Sequence, residues 1–275
     1  MKLEESLEVV AQTDAGMVRA HNEDSVTVDA ACGLMVLADG MGGYNAGEVA
    51  SGIAASVMMT EVAPLLKNAS PVAREAASGE ELVALLTRGL QKANASIYQA
   101  AQGDAQYAGM GTTVVSTLFY DNRVVVAHVG DSRLYRLRGG LLEVITRDHS
   151  LLQEQIDCGM ITPEEARHSQ NKNLVTRAVG IDAGLAPEIH LYDVAVGDVY
   201  LLCSDGLNDM VEDDDIQSIL YAMQGNLELA AEQLIQTAND NGGRDNVSVI
   251  LVKVKQEFAQ PRSVLAKLFN WLKKK

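Results

Sequence analysis

Positive charge is scarce in this chain: 22 Lys and Arg face 37 Asp and Glu over 275 residues, a formal net charge of −15. Proteins that grip nucleic acid carry a basic patch, because neutralised phosphates supply much of the binding free energy. The balance therefore excludes DNA or RNA as a partner of the main body. Cysteine is scarce too. Cys32, Cys158 and Cys203 are odd in number and widely spaced, with no CxxC pair, which favours a reducing compartment over a disulfide framework. The first residues, MKLEESLEVV, lack the apolar core of a signal peptide. No apolar run approaches the roughly 18 residues that cross a bilayer. The expected location is the cytosol. Internal repeats and low-complexity segments are absent.

Several signatures of phosphate and nucleotide chemistry are also missing. There is no GxxxxGK[ST], so the glycines of 40–47 do not form a nucleotide P-loop, and no GxGxxG follows a strand. No cysteine has an arginine six positions on, and no HExxH helix occurs. The five histidines, His21, His128, His149, His168 and His190, do not cluster along the chain, and each reads as structural or superficial rather than as a ligand.

What is present is ordinary globular material, 47% hydrophobic and 21% charged, long enough for one large domain or two small ones. Residues 7–13, 25–29 and 33–38 read as strands. Residues 44–63 read as a helix with Ala46, Val49, Ile53 and Val57 on one face, and 80–101 as a second helix carrying Leu82, Leu86, Leu90, Ala93 and Ile97. A linker with two prolines, 64–79, joins them. Strands 112–120 and 123–129 flank a turn at Asp121-Asn122, and 133–137 and 141–145 flank Gly139-Gly140. Residues 150–182 mix a short helix with a polar stretch, 167–173, suited to a mobile loop. Then come a strand at 199–203, helices near 213–222 and 227–240, and a closing strand at 246–254. Strands and helices are grouped rather than alternating, which points to α+β layers with antiparallel sheets.

The informative pattern is acidic residues beside glycine at the ends of apolar strands. Leu34–Ala38 runs into Asp39-Gly40, and Val124–Val129 into Gly130-Asp131. Val199–Cys203 runs into Ser204-Asp205-Gly206, and Gly242-Gly243-Arg244-Asp245-Asn246 opens a further strand. A strand end fixes a carboxylate on a rigid element, and glycine permits a sharp turn and close approach of a ligand. Converging carboxylates repel unless cations neutralise them, and magnesium and manganese take oxygen ligands of this kind. Any one Asp-Gly is most often only a turn. The set of four points to a metal-dependent hydrolase, with plain turns still open as the alternative.

These segments, taken together, resemble the type 2C metal-dependent serine/threonine protein phosphatases in their bacterial form. The resemblance runs from about Asp14 to Ser248, through DAGMVRAHNED (14–24), ADGMGG (38–43), GTT (111–113), HVGDSR (128–133), DHS (148–150), TRAVG (176–180), CSDGL (203–207) and GGRDNVS (242–248). It implies a four-layer αββα sandwich: two antiparallel sheets face to face, flanked by helices. It implies two or three divalent cations, manganese or magnesium. Asp39 would bridge two of them, the Gly40 carbonyl would ligate one, and Asp205 and Asp245 would complete the other. Glu23 would hold cation-bound water, with Asp24 and Asn246 in support. Asp131 and Asp209, with Asp205, would hold a third cation; Asp205 and Asp209 stand four apart, on one face of a helical turn. Arg19 would bind the phosphate of the substrate through its planar fork.

The reaction implied is in-line attack on phosphorus by a water shared between two cations about 3.5–4 Å apart, with no phosphoenzyme. Met41 stands where eukaryotic members carry a histidine proposed as general acid. That leaves the proton donor to a cation-bound water, or to His128 or His149. Residues 150–176 correspond to the family's flap beside the active site. Substrates would be phosphorylated proteins, with a cognate Ser/Thr kinase and its targets as partners and a monomeric chain. The competing classes are a binding module that keeps the fold without activity, and a hydrolase of small phosphate esters.

The last 23 residues invert the charge balance, with seven basic residues against Glu257; their +6 leaves −21 on the other 252. The chain thus divides into a catalytic domain, 1–256, and a basic amphipathic tail, 257–275. Val264, Leu265, Leu268, Phe269, Trp271 and Leu272 share one helical arc. Such a helix packs on its own domain, frays, or makes peripheral contact with an anionic membrane through 263–275. Trp271 is the single tryptophan, so its emission separates these states. Membrane contact shifts the emission to the blue on adding anionic vesicles, and an unchanged spectrum excludes it.

Overall fold

Alternation along the strands sorts the apolar residues of this protein into three cores. The computed structural model describes residues 3–43, 46–68, 78–167, 169 and 174–259. One sheet runs β1 (Leu7–Asp14), β11 (Val247–Val254), β10 (Val199–Cys203), β7 (Arg133–Arg138), β8 (Leu141–Val144). The other runs β2 (Asp24–Asp29), β3 (Leu34–Met41), β5 (Val114–Tyr120), β6 (Arg123–Val129), β9 (Glu188–Asp193), with the two-residue β4 (Gly111–Thr112) paired to β3. Neighbouring strands are antiparallel throughout.

Along β3, Met35 and Leu37 face the partner sheet, where they meet Leu134, Tyr200, Leu202, Ile250 and Val252. Leu34, Val36 and Ala38 face the opposite way, onto α2 (Ala46–Asn68) and α3 (Gly79–Gly103). In the first sheet Val199, Leu201 and Cys203 of β10, with Val247, Val249 and Leu251 of β11, pack under α7 (Asp213–Met223) and α8 (Leu227–Asp240). Because both faces of the central strands are covered, β10 and β11 read as nearly unbroken apolar runs. The architecture is the four-layer αββα sandwich with antiparallel sheets.

Local chemistry sets the connections. Asp121 and Asn122 adopt φ of 45° and 55°, the left-handed pair that matches hairpin twist and that Asn and Asp tolerate. Ser78 and Glu81 cap α3 reciprocally, a box that satisfies two otherwise orphaned N–H groups. Asp205–Asn208 forms one short helical turn, α6, directly after β10, and α4 (Leu151–Asp157) and α5 (Pro163–Arg167) follow β8.

The structure departs from the sequence expectations in four places. The first helix does not stop at 63 but passes through exposed Pro64 to Asn68, held by Val62, Ala63 and Leu66 on the helical core. Its deepest stripe is Ala46, Ala50, Ala54, Met58 and Val62, with Val49, Ile53 and Val57 flanking it, because small alanines let the helix lie close to β3. Residues 46–66 also have the length and apolarity of a membrane crossing, with mean hydropathy 1.5, contrary to the expectation of no such run; here the helix packs on β2, β3 and α3. Finally, 188–193 forms an edge strand that its mixed composition, EIHLYD, did not announce. Most of 167–173 and all of 260–275 lie outside the described residues.

Phe119 joins the two sheets, with its ring 5.3 Å from that of Tyr200 in an edge-to-face contact. Phe119→Ala should cost about 3–5 kcal/mol, read as a fall in the midpoint of urea unfolding; a change under about 1 kcal/mol would show that the two sheets do not depend on this contact.

Candidate metal centre

The sandwich brings the sequence-separated aspartates to one end. In the register of β2 and β3, Asp24 lies directly opposite Asp39. The β10–β11 pairing sets the Asp205 turn that leaves β10 beside the Asp245-Asn246 entry to β11. The turn 130–132 carries the chain from β6 in one sheet to β7 in the other, and Asp131 sits on it, buried. Asp209 closes α6, its N–H donating to the Asp205 carbonyl at 2.8 Å.

Glycines make this convergence possible. A Cβ on Gly40 would stand 2.1 Å from the Gly47 carbonyl oxygen, and one on Gly206 2.0 Å from that of Asn246. Both are backbone clashes that only glycine avoids.

Short polar side chains hold the carboxylates in place. The Ser204 hydroxyl donates to Asp24 Oδ2 at 2.9 Å and accepts from the Ser248 N–H at 3.0 Å. Thr113 Oγ1 accepts from the Asp39 N–H at 3.2 Å and lies 2.6 Å from Ser132 Oγ, linking the Asp39 strand to the Asp131 turn. Asn246 donates through Nδ2 to the carbonyls of Ala15 and His21 and accepts from the Glu23 N–H at 2.8 Å. It thereby pins the segment that carries Arg19 and Glu23. Sequence reasoning gave no role to Ser204, Ser248, Thr113 or Ser132. Their signal was their place inside the CSDGL, GGRDNVS, GTT and HVGDSR segments.

The electrostatics are those of crowded, desolvated acids. Burial pushes Asp24 up to about 7, against the pull of hydrogen bonds from Ser248 and Ser204. Burial and then the charges of Asp24, Asp205, Asp131 and Asp245 hold Asp39 well above the usual carboxylate range. Burial, then Asp131, Asp209, Asp245 and Asp24, do the same to Asp205. Asp131 is raised to about 7 by burial and by Asp148. Asp39 and Asp205 keep some exposure, so water screens part of this. Burial also raises Glu23, while Arg19 opposes.

The residues fit a divalent cation by the chemistry of the donor set: Asp39, Asp205 and Asp245 with the Gly40 carbonyl offer oxygens only, which suits magnesium or manganese. Behind them Asp24 Oδ1 is buried without a hydrogen-bond partner, a costly arrangement that adds to the unrelieved negative charge.

Arg19 is turned onto Asp245, Nη2 to Oδ2 at 2.7 Å, with half of its side chain exposed. The two residues that were expected to hold phosphate and cation separately are thus in direct contact. A cavity of about 360 Å³ runs from Asp131, Asp205 and Asp209 to Leu152, Ile156 and Ala166 of α4 and α5, setting the flap segment beside the acids.

Three of the histidines, distant along the chain, meet in space. His128 pairs with Glu188 across β6 and β9. His128, His149 and Glu188 place ligand-type atoms within 4.8 Å of one another, and His190 Nε2 lies 2.8 Å from Glu188 Oε1. They cluster in space because the unforeseen strand β9 brings Glu188 and His190 to them.

Comparison with known proteins finds a family model and relatives that match most of the chain. The family model described as protein phosphatase 2C matches residues 17–238. The serine/threonine protein phosphatase PstP of Mycobacterium tuberculosis is 38% identical over 261 residues, 94% of this chain but 48% of that protein, so the chain spans about half the length of this curated relative. The serine/threonine phosphatase stp of Listeria monocytogenes is 36% identical over 88% of this chain and 94% of its own length. A crystal structure of the PstP catalytic domain in complex with two manganese ions superposes with a TM-score of 0.78 at 38% identity, covering 91% of this chain and 99% of that one.

The raised carboxyls set a pH dependence for the protein in chelator. Asp24 and Asp131 keep protons up to about pH 7 when folded but lose them near pH 4 when unfolded. The folded state therefore binds more protons between those values, and stability falls as pH rises from 5 to 7.5. Urea unfolding in EDTA should show this fall, and Asp131→Asn should flatten it. Equal slopes for the two proteins would remove Asp131 from the set of raised acids.

Proposed function

The chain belongs to the protein phosphatase 2C family, and from that premise we propose that it removes phosphate from phosphoserine and phosphothreonine in protein substrates. The observation that carries this is the meeting of Asp24, Asp39, Asp205 and Asp245 at one end of the sandwich, with a buried, unpaired carboxylate oxygen among them and Arg19 at their edge.

Asp39, the Gly40 carbonyl, Asp205, Asp245 and Glu23 would hold two cations, manganese or magnesium. Asp131 and Asp209, with Asp205, would hold a third. Bound there, divalent cations supply positive charge for phosphoryl oxygens and lower the pKa of water towards neutrality. The chain's own residues do the rest. Asp24, fixed by Ser204, keeps Asp39 in its rotamer through the cross-strand contact. Asn246 sets the backbone of Glu23. Arg19 draws the substrate phosphate to the rim, exchanging its bond to Asp245 for the planar, bidentate contact that guanidinium makes with phosphate.

Neither His128 nor His149 is placed as the proton donor. Both are buried; the first donates through Nε2 to the Arg147 carbonyl at 2.8 Å, and the second accepts from the Gly130 N–H. With Met41 in the position discussed above, solvent in the acidic cleft is the remaining source.

The partners of this function are phosphorylated proteins, a cognate Ser/Thr kinase and that kinase's targets, met by a monomeric chain in the cytoplasm. Peripheral membrane contact through 263–275 is the part that tail fluorescence tests.

Assay of the purified protein with manganese on a phosphothreonine peptide and on small phosphate esters tests the proposal. The peptide should be preferred in kcat/KM, and chelation should abolish turnover. Asp39→Asn should lower kcat by several kcal/mol of transition-state stabilisation, roughly a thousandfold. Arg19→Ala should raise KM more than it lowers kcat. Undiminished activity in chelator, or in Asp39→Asn, would overturn the assignment.

A further inference from the structure

Gly130 precedes Asp131 at the point where the chain crosses between sheets. Its φ is +107°, and a Cβ there would meet Thr113 side-chain atoms at 2.6 Å, so the turn is confined to glycine. Both polar groups of its backbone go to one residue. The Gly130 N–H donates to His149 Nδ1 at 3.2 Å, and its carbonyl accepts from the His149 N–H at 2.9 Å.

The imidazole is itself held on every side. His149 Nε2 lies 3.4 Å from Glu188 Oε2, whose other oxygen takes His190. The ring stacks on His128, centroids 4.8 Å apart and planes 18° from parallel. The His149 carbonyl accepts from the Thr176 N–H at 2.8 Å, and Ser150 bridges to Val175, so the residue also ties the far end of the flap segment to its start.

Hydrogen-bond logic fixes the tautomer. Nδ1 accepts, so it carries no proton; the proton of the neutral ring is on Nε2, directed at Glu188. Burial and the neighbouring His128 favour that neutral form. The same logic speaks against a cation among His128, His149 and Glu188, despite their spacing. Ligation through Nε2 would move the proton to Nδ1 and face it against the Gly130 N–H, donor to donor.

We propose that His149 is a positioning residue for Asp131: its Nδ1 lone pair and backbone N–H clamp the Gly130 turn so that the Asp131 carboxylate is aimed at Asp205 and Asp209. This role presupposes the third cation position assigned to Asp131 above. Supports of this kind, one bond removed from a ligand, are typically worth 10–100-fold in metal affinity.

Three substitutions separate the clamp from general packing. In His149→Asn the amide oxygen occupies the place of Nδ1 and still accepts from Gly130. In His149→Gln the acceptor moves out to the place of Nε2 and the Gly130 N–H is left unpaired. Glu188→Gln leaves the clamp intact. Manganese binding followed by calorimetry and by electron paramagnetic resonance, without substrate, should give wild-type isotherms for His149→Asn and Glu188→Gln. For His149→Gln the weakest class of sites should lose about tenfold in affinity or more, the tighter classes remaining unchanged. Asp131→Asn is the reference. If it leaves the weakest class unchanged, the third cation position is wrong and the clamp has nothing to position. If it removes that class while His149→Gln does not weaken it, or if His149→Asn weakens it as much, the clamp alone is wrong. Long-range 1H–15N correlation on the wild-type protein should show His149 protonated at Nε2; a proton on Nδ1 would overturn the proposal without any variant.

Discussion

Asp24 and Asp39 face each other across a strand pair at one end of the sandwich, and Asp205, Asp245 and Asp131 close on them from the other sheet and from the crossing turn. Like charges opposite one another on a sheet are destabilising, and burial compounds the cost. A fold evolved for stability alone would replace such a group with apolar residues. The repulsion is therefore the physical constraint around which the rest of this structure is arranged, and positive charge is what relieves it. The net charge of −15 reads differently in this light: part of the excess is concentrated at one end of the sandwich.

Rigidity has to come from elsewhere, since the acids push apart. It comes from the three apolar cores, which fix the strand ends, and from a ring of short polar side chains. Ser204 spans Asp24 and Ser248, Thr113 spans Asp39 and Ser132, and Asn246 ties the Arg19–Glu23 segment to β11. Each reaches at most one or two bonds from its own backbone, so each loses little side-chain entropy on ordering. The half-buried pair Arg133–Asp148, bonded through Nε and Nη2 at 2.7–3.1 Å, extends the same scaffold towards the flap.

Much of this was legible in the sequence. Unbroken apolar runs bounded by turn residues marked β3, β10 and β11, and Asp-Gly at the ends of β3 and β10 marked Asp39 and Asp205 before any geometry was known. The eight ordered segments carried the family, the four-layer fold and the set of carboxylates. What was not legible depends on pairing between distant strands. β9 is a half-exposed edge strand whose composition resembles a loop, and without it the contact of Glu188 with His128, His149 and His190 cannot be inferred. Pro64 signalled a helix end that the packing of Val62, Ala63 and Leu66 overrides. The Arg19–Asp245 contact spans 226 positions, and no local pattern encodes it.

Anomalous diffraction at the manganese edge, from crystals grown with manganese, tests whether the aspartates gathered at the end of the sandwich form a cation site. Peaks are expected within about 2–2.5 Å of carboxylate oxygens of Asp39, Asp205 and Asp245. Crystals with full manganese occupancy elsewhere, and no peak among these three side chains, would contradict it.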